Sequence, residues 1–161
     1  METVMNLENG WYILPDVHDT GEEQGLYTDR ESFTEMGPQI SEWEKLSELK
    51  HLQLLLAEQP YFGRELRYFN QAPWWYRYEF DLPNGKEQRI RLRFTNVDYY
   101  CKVWINGQPA GEHEGYSAPF SLDITDLVKP GEKNLLSVKV SSPWDREVEN
   151  GQADSRTILV K

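Results

Sequence analysis

Hydrophobic and polar side chains alternate along most of the chain from residue 74 onward, which is typical of half-buried β-strands. In residues 74–82, WWYRYEFDL, Tyr76, Tyr78, Phe80 and Leu82 alternate with charged or indole side chains. Turn residues such as Pro83-Asn84-Gly85 separate this run from the next. Similar alternation occurs in residues 90–94, 101–105, 120–124 and 136–140. Short strands at this spacing predict an antiparallel all-β sandwich.

A different pattern precedes these strands. Residues 10–14 fit a short strand, and in residues 41–58 Ser41 and Glu44 have the spacing of a helical capping box. Apolar residues then fall near one helical stripe, which predicts a helix over 42–58 that ends before Pro60. One helix cannot supply the crossovers of a parallel sheet, so an α/β fold is disfavoured. The predicted fold is a β-sandwich with one helical insertion.

The composition excludes several classes of function. The 161 residues suit one domain, and their formal charge of −10 argues against nucleic-acid binding and against an anionic membrane surface. Cys101 is the only cysteine, so neither an internal disulfide nor a cysteine-based zinc site is expected. No signal peptide is visible, and the compartment stays open between the cytoplasm and export with a signal removed.

Two polar segments are candidates for chemistry. In residues 111–116 a histidine lies between Glu112 and Glu114. A metal site needs three or four ligands, which this segment does not supply. We therefore interpret it as a connecting loop behind the Asn106-Gly107 hairpin turn. The acidic residues between Asp16 and Glu23 could bind Ca²⁺, yet they lack the spacing of an EF-hand and are more typical of a solvated loop. No metal or other cofactor is predicted.

The aromatic segment 69–76 is the candidate for ligand binding. Indoles stack on sugar rings, so Trp74 and Trp75 predict either a sugar platform or a core at the end of the sandwich, with Asn70 or Gln71 beside them to donate hydrogen bonds. A second polar-aromatic cluster contains Trp144 and Asp145.

Taken in order, the strand and turn motifs resemble the N-terminal sugar-binding domain of glycoside hydrolase family 2, the family of β-galactosidases, β-glucuronidases and β-mannosidases. The resemblance covers about 70 residues and is carried by the segments 75–80, 92–98, 103–107, 111–116, 119–125 and 131–140.

The resemblance implies a jelly-roll β-sandwich of the galactose-binding-domain-like type. It also implies that an immunoglobulin-like domain and a TIM barrel with the catalytic glutamates follow in the parent chain. We therefore expect the chain to be an N-terminal fragment that lacks the family's closing strand, has no catalytic residue and does not hydrolyse sugars alone. Family members contact a β-linked terminal sugar through an asparagine and an aspartate of this domain, which implies Asn70 and either Asp145 or Asp154.

Two alternatives to this accessory role remain. The chain could be a free-standing carbohydrate-binding module with its site around Trp74, Trp75 and Trp144. It could also be a purely structural assembly domain.

Overall fold

The fold is seen in a computed structural model that describes residues 3–28, 43–57, 69–85, 89–115 and 118–142. In chain order the elements are β1 (Tyr12–Pro15), α1 (Gly21–Gln24), β2 (Glu44–Lys45), α2 (Leu52–Leu56), β3 (Trp74–Asp81), β4 (Arg91–Phe94), β5 (Tyr100–Ile105), β6 (Gln108–Glu114), β7 (Phe120–Asp123) and β8 (Lys133–Ser141). No helix in these ranges is long and apolar enough to cross a membrane.

The described strands form two antiparallel sheets. The larger has the order β2-β1-β3-β8-β5-β6, and the smaller consists of β4 and β7. The longest pairing joins β3 and β8 from Trp74 opposite Val140 to Asp81 opposite Lys133. The predicted all-β sandwich is confirmed.

The main core lies between the two sheets. Side chains alternate across a strand, so every second residue of the larger sheet points toward this core. Five of these residues are at most 3% exposed: Ile13, Val103, Ile105, Leu136 and Val138. Leu92 and Phe94 of β4 pack on them from the smaller sheet. This burial supplies the main driving force for forming the sandwich.

The outer face of the larger sheet is partly covered as well. Trp75 and Trp104 form a second cluster there with Leu14, Leu26 and Trp43. The segment around α1 supplies Leu26, so the acidic N-terminal region lies against the sheet and covers these indoles.

The predicted helix over 42–58 is limited to Leu52–Leu56. Glu44 lies in β2 opposite Ile13, which removes the predicted capping box. Trp43 and Leu46 are both buried, but they contact different clusters, whereas Leu49 is 45% exposed. The pairing of β2 with β1 and the burial of Trp43 and Leu46 in different clusters therefore outweigh the local helical propensity of this segment.

The Asn106-Gly107 turn is confirmed. Both residues have positive φ, 51° and 79°, as the tight hairpin between β5 and β6 requires. The Asn106 side chain also connects the turn to the sandwich: its Nδ2 donates to the Asn134 side chain at 2.8 Å and its Oδ1 accepts from the Leu135 amide at 2.9 Å. The turn is therefore part of the scaffold.

Candidate functional site

Five strand termini meet at one end of the larger sheet, among them Pro15 at the end of β1, which lies opposite Trp74. Trp74, which begins β3, lies opposite Val140, while Tyr100, which begins β5, lies opposite both Ser141 and Glu114. Chain segments that enter β3 or leave β8 therefore pass this end. Asn70 precedes β3 by a few residues and Ser142 directly follows β8, so the register brings the two candidate segments to the same end of the sandwich.

The backbone next to Asn70 is held by Trp74. The indole Nε1 of Trp74 donates to the Phe69 carbonyl at 3.0 Å, and the two rings stack at 5.8 Å. Asn70 itself is half-buried, and its side-chain amide forms no hydrogen bond with the described residues. The backbone beside Asn70 is therefore fixed by Trp74, while the amide itself has no partner among the residues that the structure describes.

Trp74 and Trp75 lie in the interior. Trp75 is 0% exposed, stacks on Trp104 at 5.1 Å and donates from Nε1 to the Asp16 carboxylate at 3.0 Å. Trp74 is 6% exposed. Neither indole presents a face to a ligand in this arrangement, so we interpret both as core residues and not as a sugar platform.

The other candidate residues, Trp144, Asp145 and Asp154, lie outside the described residues.

The sequence reasoning did not single out Asp98, which lies at the same end. Its backbone carbonyl accepts a hydrogen bond from the Ser142 hydroxyl at 3.4 Å, and its carboxylate Oδ1 is buried with no hydrogen-bond partner in the described structure. Burial raises the pKa of Asp98, and the nearby His51 imidazole opposes part of this rise. No local motif marks this residue, because its burial arises from segments distant in sequence.

Residues 111–116 were predicted to be a loop, but Glu112, His113 and Glu114 lie in β6. His113 faces the core, where its ring stacks on Phe120 at 3.9 Å, and its Nδ1 is buried without a hydrogen-bond partner in the described structure. Glu112 lies near Lys102. Gly111 pairs with Val103 of β5 inside this strand, and Gly115 directly follows its end.

Asp16 is buried, contrary to the prediction of a solvated acidic loop. Its carboxylate accepts hydrogen bonds from the amides of Thr20 and Gly21 at 3.0 and 2.9 Å, in addition to the bond from Trp75. A Cβ on Gly21 would lie 2.4 Å from the Trp75 Nε1, so only glycine fits this position without displacing its neighbours. Asp16 thus fixes the start of α1 against the sheet.

Further along the same segment, Asp19 and Glu22 pair with lysines of the larger sheet. The Lys139 ammonium lies 2.6 Å from Asp19 and 3.0 Å from Glu22, and Lys102 lies 3.2 Å from Glu22. Burial favours a higher pKa for Glu22, but the two lysines outweigh it and the pKa is lowered. Within the described residues no group of three potential ligands could hold a metal ion, and these carboxylates act as attachments to the sheet.

Cys101 is buried and points into the main core. Burial raises the pKa of its thiol to about 11, so the thiolate is scarce near neutral pH. This supports its interpretation as a small core residue.

Comparison with known proteins identifies the family. Residues 46–159, more than half of the chain, match the family model described as "Glycosyl hydrolase 2 galactose-binding domain-like". The chain belongs to this family. The jelly-roll sandwich implied by the strand motifs is thereby confirmed.

Relatives of this galactose-binding-like domain include enzymes. A β-galactosidase of Thermoanaerobacter pseudethanolicus is 36% identical over 76 residues, which cover 46% of this chain and 10% of that protein. A β-glucuronidase of Canis lupus familiaris is 42% identical over 73 residues, covering 42% of this chain and 11% of that protein. The chain therefore matches about a tenth of the length of each enzyme.

Solved structures agree on the fold. A β-glucuronidase of Ruminococcus gnavus superposes with a TM-score of 0.65 at 20% identity, over 95% of this chain and 27% of that one. At this identity the likeness establishes the architecture of the galactose-binding-like domain and not its ligand.

Proposed function

We propose that this chain is the non-catalytic galactose-binding-like domain of a family 2 retaining β-glycosidase, and that it contributes polar contacts to a β-linked terminal sugar held mostly by a catalytic barrel. The observation that carries the proposal is the family match over residues 46–159, in a chain that corresponds to only about a tenth of its glycosidase relatives.

The end of the sandwich where β3 begins and β8 ends is the proposed sugar-facing surface. Asn70 supplies an amide that the fold positions and leaves without a hydrogen-bond partner among the described residues. Asp145 and Asp154 follow Ser142, whose hydroxyl lies at the same end, and we propose one of them as the carboxylate contact. An amide and a carboxylate together suit sugar hydroxyls, since one both donates and accepts and the other accepts strongly.

The test of these contacts uses the complete reading frame that contains the chain. We expect Asn70→Ala to lower kcat/KM for a chromogenic β-glycoside by about 10- to 100-fold, because it removes a hydrogen bond worth about 1–3 kcal/mol in a desolvated site. We expect a loss of the same size in either Asp145→Ala or Asp154→Ala, whichever aspartate contacts the sugar. Asn84→Ala is the control for Asn70, because Asn84 is an exposed asparagine beyond the other end of β3, and it should keep wild-type kinetics.

Unchanged kcat/KM in all three variants would reject the sugar contacts and leave a purely structural domain. Losses confined to protein yield or thermal stability, with normal kcat/KM per folded molecule, would lead to the same conclusion.

A further inference from the structure

Three arginines alternate along β4 and the two residues before it: Arg89, Arg91 and Arg93, here called the arginine stripe. All three are exposed, whereas the alternate residues Leu92 and Phe94 are half-buried and pack against the core. Because side chains two residues apart share one face of a strand, the stripe is a line with steps of about 6.6 Å and a length of about 13 Å.

Two of these arginines form no ion pair with any residue that the structure describes. Arg89 Nε donates to Asp123 Oδ2 at 2.8 Å. Arg91 and Arg93 form no ion pair within the described structure, although the chain has 27 acidic against 17 basic residues. In the β4–β7 pairing Arg93 lies opposite the uncharged Ser121, whereas Arg91 lies opposite Asp123, the same carboxylate that accepts from Arg89. The stripe therefore places three guanidinium groups beside the carboxylate of Asp123, and two of them, those of Arg91 and Arg93, form no ion pair with a described residue.

The shape of the stripe favours an extended ligand. It lies on the exposed face of a two-stranded sheet, and its first member, Arg89, borders a shallow cleft that Asp123 and Asp126 also line. A small anion would contact one guanidinium at a time, whereas a linear polymer could reach all three. Guanidinium groups bind carboxylates in a bidentate manner, so repeated carboxylates along a polymer match this row.

The stripe does not suit nucleic acid. Ile90, Leu92 and Phe94 between the arginines are directed to the core, so no exposed aromatic ring lies between the charges to stack on a base. DNA also has about one charge per 1.7 Å of its axis, which a chain of formal charge −10 repels strongly. A polysaccharide with one carboxylate on each sugar has a lower charge density.

We propose that the arginine stripe binds an extended acidic polysaccharide through its carboxylates, as a second carbohydrate contact separate from the terminal-sugar surface. The choice of a polysaccharide over an acidic protein segment rests on the proposed glycosidase function. Such a contact would hold a polymeric substrate near the enzyme while its terminal sugar occupies the catalytic site.

Calorimetric titration of the 161-residue chain with polyglucuronate tests the proposal. We expect binding that weakens as salt is raised, and an affinity at least about tenfold lower in the double variant Arg91→Gln/Arg93→Gln, since two charge-assisted contacts are lost. Lys45→Gln/Lys50→Gln removes the same charge from exposed positions in and after β2, away from the stripe, and should bind like the wild type. The carboxyl-reduced polymer should not bind.

Three results would overturn the proposal: no binding of polyglucuronate, equal losses in the two double variants, or equal or tighter binding of poly-L-glutamate. The last result would assign the stripe to an acidic protein segment. Because the titration needs no turnover, its failure is distinguishable from a failure of the terminal-sugar contacts, which only the kinetics of the complete protein report.

Discussion

Replacing Trp75 by alanine should lower the free energy of unfolding by about 3–5 kcal/mol, as is typical when a fully buried tryptophan is removed. The indole is 0% exposed and stacks on Trp104, and the substitution leaves a cavity between the sheet and the α1 segment. It also removes one of the three hydrogen-bond donors to the buried Asp16 carboxylate. Loss of a donor to a buried charged group adds to the cost.

Urea unfolding followed by circular dichroism measures this effect. Trp75→Phe is the matched variant, because it keeps an aromatic ring and loses the N–H group, and its cost should be smaller, about 1–3 kcal/mol. A Trp75→Ala protein with wild-type stability and weakened glycan binding would contradict the core interpretation and restore the sugar platform of a free-standing carbohydrate-binding module.

Replacing Asn134 by alanine should cost about 2–4 kcal/mol, because a buried polar network loses its centre. Asn134 is 1% exposed, and its side chain makes four hydrogen bonds. The Oδ1 atom accepts from the Lys129 amide and from Asn106, and the Nδ2 group donates to the carbonyls of Lys129 and Glu132. Alanine leaves these partners unpaired at the point where the β5–β6 turn meets the start of β8.

The same unfolding measurement applies, with Asn96→Ala as the control. Asn96 is exposed and forms no side-chain hydrogen bond with the described residues, so its loss should change stability by no more than about 0.5 kcal/mol. Equal stability of the two variants would show that the asparagine network does not stabilise the sandwich.

The strands could be predicted from sequence because their information is local. A period of two identifies β3, β5, β7 and β8 without knowledge of their partners, and Asn106-Gly107 has few alternatives to a tight turn. The helix over 42–58 was predicted too long because the contacts that decide this segment are not local. The pairing of Glu44 with Ile13 joins segments about 30 residues apart, and no local pattern contains it.

The site was less predictable for the same physical reason. An indole serves equally well in a core or on a sugar platform, so the sequence left Trp75 undecided. The decision comes from Asp16, which is 59 residues away in the chain and accepts the indole N–H. Asp98 likewise contacts a residue distant in sequence, since the hydroxyl of Ser142, directly after β8, donates to its backbone carbonyl.

The most direct measurement of the central claim is hydrolysis of chromogenic β-glycosides by this chain and by the complete reading frame that contains it, assayed side by side. The account predicts turnover of a β-glucuronide or β-galactoside by the complete protein and none by the 161-residue chain. Turnover by the 161-residue chain alone, or no glycosidase activity in the complete protein, would contradict it.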